Sequence, residues 1–127
     1  MSDRQECKHT TYAFASVGSR TERGGWIDKA TTTLAYRGLT LACIGDIVRY
    51  DDSSEATIID GAGFAAVWND KPFALVGSRV SNGDRIIESL QDALGINVHP
   101  DIPIAGLFDS AYVYREDDRD GAEHGHA

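Results

Sequence analysis

The residues best suited to chemistry in this 127-residue chain are its two cysteines, its four histidines and two serines that each follow a glycine. A zinc site would need about four thiolate or imidazole ligands converging on one point. The candidates are Cys7, His9, Cys43, His99, His124 and His126. Cys7 and His9 sit in a polar N-terminal stretch, Cys43 in an apolar run, His99 beside Pro100, and His124 and His126 in an acidic tail. That scatter lacks the ligand spacing of a zinc motif, and Cys43 reads as a small buried hydrophobe. Ser19 and Ser78 could act as nucleophiles, but neither lies in a G-x-S-x-G elbow and neither has a histidine in its repeat. The adjacent acids Asp51 and Asp52 have no companion motif. No active site assembles from this set, and the expectation is a protein that is not an enzyme.

The two serines belong instead to a repeat. Val17-Gly18-Ser19-Arg20 returns as Val76-Gly77-Ser78-Arg79, with a looser copy at Ile44-Gly45-Asp46-Ile47. The glycines stand 27 and 32 residues apart, a period that marks repeat architectures. Two hairpins extend the unit. Residues 31–36 and 39–44 are rich in β-branched and apolar types around Arg37-Gly38, and residues 63–68 and 73–76 flank Asn69-Asp70-Lys71-Pro72. Aligned on the glycines that follow, Gly38 falls opposite Asp70, Ala42 opposite Ala74 and Gly45 opposite Gly77. Turns at 21–25, 51–54 and 81–84 lead to apolar strands that resume at Trp26-Ile27, at 56–60 and at 85–88. Residues 85–94 also fit one helical face closed by Gly95. Phe14, Trp26, Phe64, Trp68 and Phe73 read as core aromatics.

Composition bounds the rest. Hydrophobic residues at 42% and charged residues at 25% are ordinary globular values. A net charge of −8 argues against nucleic acid as a partner, because phosphate recognition needs clustered Lys and Arg. The N-terminus has no apolar h-region, so no classical secretory signal is expected. The organisation expected is a flexible arm over 1–11, a repeat domain over 12–90, a packed extension over 91–115 and a disordered acidic tail over 116–127.

Three segments carry a family likeness: SVGSRTERGGWI (16–27), LTLACIGDIVRY (39–50) and TIIDGAGFAAVWNDKPFALVGSRVSNGDRII (57–87). Their order of Gly-Ser or Gly-Asp corners, Ala-x-x-Gly strands and a Thr-Ile-x-x-Gly strand resembles the PAAR family, in a register covering roughly residues 12–90. The resemblance implies a mainly β fold, a small three-sided conical β-repeat domain with a short helix or irregular C-terminal extension. It implies a non-catalytic structural tip whose broad base caps the trimeric valine-glycine repeat (VgrG) spike of type VI secretion, one copy per trimer. Effector or adaptor proteins would ride with it. The protein would wait in the cytoplasm, leave with the spike, and meet a target-cell membrane only on penetration. The alternative is a toxin-associated adaptor or small enzyme built on a PAAR remnant, with residues 96–127 as its working part.

The departures from the family pattern concern its tip, which is usually tied by a metal through His and Cys residues in the turns. At the matching positions stand Arg23, Tyr50 with the 51–54 turn, and Ser81-Asn82, none of them a good zinc ligand. Zinc is therefore possible by resemblance, and no cofactor is expected. A structural zinc can contribute on the order of 10–16 kcal/mol to folding a small site. If the turns meet at one apex, Arg23 could reach Asp51, Asp52 or Asp84, with Asn82 alongside. An Arg–carboxylate and hydrogen-bond cluster would then stand where the metal does.

Overall fold

Three alanines close a ring of backbone hydrogen bonds at the centre of the molecule. The Ala15 amide donates to the Ala74 carbonyl, Ala74 to Ala42, and Ala42 to Ala15, each at 2.9 Å. A computed structural model describes residues 10–112 of the chain. A second ring repeats the pattern: Val17 donates to Thr40 at 2.9 Å, Ile44 to Pro72 at 3.0 Å and Val76 to Ala13 at 2.9 Å. Each of the three short strands around the alanines thus pairs with both others, through the bridges Phe14↔Leu75, Ser16↔Leu41 and Cys43↔Phe73. The chain has approximate threefold symmetry, and the ring alanines are fully buried.

The elements in order are β1 (Thr10–Ala13), β2 (Arg20–Thr21), β3 (Trp26–Lys29), β4 (Ala35–Tyr36), β5 (Leu39–Thr40), β6 (Ile47–Arg49), β7 (Glu55–Thr57), a 3-10 turn (Gly63–Ala65), β8 (Val67–Trp68), β9 (Lys71–Pro72), β10 (Ile86–Glu88) and β11 (Gly95–Val98). One antiparallel sheet runs β10-β2-β3-β6-β7. The bridges Ile58↔Val80 and Arg79↔Arg85 carry the pairing on from β7 towards β10, so the sheet wraps three sides. This is a small, mainly β, PAAR-like fold.

Every ring strand leaves through the same turn. The amides of Ser19, Asp46 and Ser78 reach back to the carbonyls of Ser16, Cys43 and Leu75. The third residue is Gly18, Gly45 or Gly77 at φ 92, 95 and 107, the left-handed position that a type II turn reserves for glycine. The fourth side chain then closes the turn: Ser19 Oγ accepts from the Ser16 amide at 2.9 Å, Asp46 Oδ2 from Cys43 at 2.8 Å, and Ser78 Oγ from Leu75 at 2.9 Å. Gly-Ser and Gly-Asp are therefore one device. Beyond it, Gly18, Gly45 and Gly77 donate to Ile27, Ile58 and Ile86, whose own amides return to Ser19, Asp46 and Ser78. These isoleucines are buried and, with Val48, Val80 and Ala56, form the core below the alanines. Burying each isoleucine stabilises the fold by about 1.5–3 kcal/mol.

Two hairpins enter the rings through tight turns, β4–β5 at Arg37-Gly38 (φ 53 and 83) and β8–β9 at Asn69-Asp70 (φ 49 and 69). Positive φ at both central residues is the type I′ geometry that matches strand twist. The third hairpin is built from distant segments. β11 pairs with β1, and Gly95↔Ala13 and Ile96↔Tyr12 occupy the places of Ala35↔Thr40 and Tyr36↔Leu39. The carbonyls of Leu34, Ala66 and Leu94 take equivalent bonds from Leu41, Phe73 and Phe14.

This closure moves the boundaries expected from sequence. The arm over 1–11 gives way at Thr10 to a strand, and the extension over 91–115 contributes β11 to the repeat itself. Residues 89–94 form no helix; the Gln91 side chain instead holds Leu94 N and the carbonyls of Phe14 and Leu94 at 2.8–2.9 Å. The aromatics are not the core. Phe73 is buried, Phe14, Trp26 and Trp68 are half-buried, and Phe64 is 40% exposed. Rings cannot enter a centre whose three backbones hydrogen-bond directly. Residues 99–112 pack over one flank, where Phe108 N donates to Gly61 O at 2.7 Å and Phe64 N to Ala105 O at 2.8 Å. The arm residues 1–9 and the tail residues 113–127 lie outside the described residues.

Candidate functional site

Each repeat enters the rings from a hairpin and leaves them for a five-residue turn, so two sets of threefold-related features are available for function. The turns are 21–25, 50–54 and 80–84. In each, the first amide donates to the fifth carbonyl and the fourth amide to the first carbonyl, at 2.9–3.0 Å. The fourth residue is Gly24, Ser53 or Gly83, at φ 89, 72 and 92. The middle repeat is four residues longer between Gly45 and Ile58 than the others are between Gly18 and Ile27 or Gly77 and Ile86. Its added rungs are Arg49↔Glu55 and the Tyr50–Ser54 pair. Arg49 also binds Asp28 at 3.1 Å and Glu55 at 2.8 Å. Those pairs are part-exposed and screened by solvent, so they contribute little to stability.

The longer arm carries Tyr50 to the last turn, where its hydroxyl donates to Asp84 Oδ2 at 2.6 Å. Asp84 Oδ1 accepts the amides of Arg23 at 3.1 Å and Arg85 at 2.8 Å. The Thr21 hydroxyl also helps to lower this carboxyl, while its oxygen accepts the Gly25 amide at 2.8 Å. Asp84 has no exposed surface. Burial pushes its carboxyl up, but the bonds from Thr21, Tyr50, Arg85 and Arg23 outweigh burial and hold it below the usual carboxylate range. The Tyr50 hydroxyl is raised, first by burial and then by donating to Asp84.

Of the residues the sequence nominates, the turns bring Arg23, Asn82 and Asp84 together. Arg23 Nη1 donates to Asn82 O at 3.1 Å, and Asn82 Oδ1 accepts the Asp84 amide at 3.0 Å. The Arg23 guanidinium makes no ion pair among the described residues; its link to Asp84 is the backbone amide. Asp51 is exposed, and Asp52 Oδ1 serves its own turn by accepting Ser54 N at 2.9 Å and Ser54 Oγ at 2.6 Å. Tyr50, absent from that nominated set, supplies the hydroxyl on the buried acid. The sequence signal for Tyr50 was its place at a position matched to a family metal ligand.

Zinc does not fit these groups. The set offers one carboxylate and two hydroxyls, with no thiolate or imidazole. Among the described residues, no three His, Cys, Asp or Glu side chains converge as a metal would require. Cys7, His9, His124 and His126 lie outside the described residues. The Cys43 thiol is pushed up to about 12, first by burial and then by Asp46, and is no nucleophile at neutral pH. Ser19 and Ser78 are buried and spent on their turns. A shallow cleft beside the strap is lined by Tyr12, Gly77, Arg79, Arg85 and Phe108, with no acid–base pair in its wall.

At the hairpin end, Phe14, Leu41 and Phe73 are threefold-related, and the Phe14 and Phe73 rings pack with centroids 5.2 Å apart. Around them stand Leu34 at 47% and Leu94 at 37% exposed, with Ala66 in the third equivalent place. The exposed apolar side chains at this end are Leu34 and Leu94, with Phe14 half-buried beside them. The family model that matches the chain is the PAAR motif, over residues 17–88. No curated protein and no solved structure matches it.

Proposed function

The chain belongs to the PAAR-motif family, and from that membership we propose that it is a non-catalytic tip protein that caps the blunt end of a VgrG-type trimer in a type VI secretion spike. Membership itself implies a spike-tip-like protein of that secretion system. The finer reading, one copy per trimer, is supported above all by the closed Ala15–Ala74–Ala42 ring, which gives a single chain three nearly equal sides. The hairpin end, with Leu34, Leu94 and the Phe14–Phe73 pair, is the docking face, and the 21–25, 50–54 and 80–84 turns lead. Effector or adaptor proteins would be carried on the flanks. No helix among the described residues is long and apolar enough to cross a membrane, and any membrane contact belongs to penetration. The alternative of a working part within 96–127 gains nothing from residues 96–98, which are committed to pairing with β1.

The test is co-purification of the full chain with spike trimers from the same secretion locus, with the mass of the complex measured. The expected result is one chain per trimer, and weaker capture of a Leu34→Asp, Leu94→Asp double variant that keeps the wild-type unfolding midpoint. Absence of any complex with every cognate trimer would overturn the reading.

A further inference from the structure

We infer that the apex of this protein is closed by a hydrogen-bonded lock, with the Tyr50 hydroxyl and two backbone amides on the Asp84 carboxylate, in the place where a metal ion would otherwise tie the turns. The lock joins all three turns. Arg23 belongs to the first, Tyr50 to the second, and Asp84 to the third.

Occupancy is the first support. A carboxylate offers roughly four acceptor sites. Asp84 receives the Tyr50 hydroxyl and the Arg23 and Arg85 amides. Three of those sites are taken, and the acid has no exposed surface through which a cation could enter.

The backbone supplies the second, independent support. A Cβ added to Gly25 would fall 2.6 Å from one Tyr50 ring carbon and 2.9 Å from Val48 Cγ1. Gly25 is not in the left-handed region. Its lack of a side chain therefore answers to the ring lying over it rather than to the turn. Gly25 shares its rung with Thr21 as Asp84 shares one with Val80, so the two are equivalent positions. One has been emptied to admit Tyr50, and the other carries the carboxylate that Tyr50 meets.

The third is length. Without its four extra residues, the middle repeat would place its turn where the others do, and Tyr50 would not lean over Gly25. Longer hairpin, missing side chain and buried, hydrogen-bonded acid are three separate departures from threefold symmetry that serve one contact. The lock concerns the folding of the tip and stands whether or not the hairpin end docks on a spike.

The experiment uses the full chain, purified with and without added zinc. Elemental analysis is expected to find no stoichiometric metal, and EDTA is expected to leave the thermal midpoint unmoved. Tyr50→Phe should lower that midpoint by roughly 4–10 °C, the loss of one hydrogen bond to a buried charge in a domain of this size. Gly25→Ala should lower it through the Tyr50 ring and Val48 contacts, and adding Gly25→Ala to Tyr50→Leu should cost less than Gly25→Ala costs the wild type, the Val48 contact remaining. Asp51→Asn, on the exposed side of the same turn, should stay within about 2 °C. Stoichiometric zinc with an EDTA-sensitive midpoint would overturn the inference, as would a Tyr50→Phe midpoint equal to wild type. Asp84→Asn is left out of the decisive set, since its failure to fold would not distinguish a lock from a general core defect.

Discussion

Asp60 and Asp84 both have carboxylates without exposed surface, and their different partners give them different roles. Asp60 takes Arg79 Nε at 2.7 Å and the Arg79 amide at 2.9 Å, and the same guanidinium donates to Phe108 O at 3.1 Å. It therefore pins the 99–112 strap to the third repeat. Arg79→Ala leaves a buried carboxylate short of one charged partner, and should cost about 1–3 kcal/mol by denaturant titration. Amide exchange should accelerate over 105–108 ahead of the rest. Asp84 instead governs acid stability. Its folded carboxyl lies below the unfolded value of about 3.9, so its contribution is complete above that value and is lost as pH falls through the folded one. The groups around it are the Tyr50 hydroxyl and, through their backbone amides, Arg23 and Arg85. Stability should be level from neutral pH to about pH 5 and decline below about pH 4, and Tyr50→Phe should make the decline shallower. The sequence pointed to Arg23, Asp51, Asp52, Asn82 and Asp84, and the turns bring only Arg23, Asn82 and Asp84 together. It could not show that the Arg23 amide rather than its guanidinium makes the contact, because that depends on where three turns meet.

At the scale of elements, the two hairpins were legible because Arg37-Gly38 and Asn69-Asp70-Lys71-Pro72 interrupt β-rich runs; the second turn proves to be Asn69-Asp70 alone, with Lys71–Pro72 in β9. Asp70 holds φ 69 without being glycine. Asp70→Gly, which creates the favoured Asn-Gly pair, should stabilise the protein by about 0.5–1 kcal/mol in urea titrations. Ser53→Gly, at φ 72, should act in the same direction. The first repeat was harder to read. Ala15 stands three residues before Gly18 as Ala42 does before Gly45 and Ala74 before Gly77, so the spacing held the signal. Its hairpin had none, because the partner of Thr10–Ala13 is Gly95–Val98, and no local pattern announces a pairing across most of the chain. Residues 85–94 were ambiguous between strand and helix because they divide: 86–88 pair with β2, while 89–94 bond to Phe14 and within Gln91's own loop.

As a whole molecule, the protein is a threefold object made from one chain, and its symmetry is broken in chosen places: a longer middle arm, a strap on one flank, and a hairpin made of two remote strands. A chain cut after Leu94 would lose β11 and leave β1 with an unpaired edge beside the alanine ring. Such a truncation should abolish cooperative thermal unfolding by circular dichroism rather than merely lower its midpoint. The pairing of Thr10 with Val98 also sets an order of events in time. During synthesis the first strand emerges with its hydrogen-bonding edge open, and it stays open until nearly all the repeats have been made. Contacts between such remote segments are slow to form, and exposed edges recruit strands from other chains. The corner at which the chain begins is therefore the last to close, and a newborn copy is most prone to join its neighbours until the strand at 95–98 arrives.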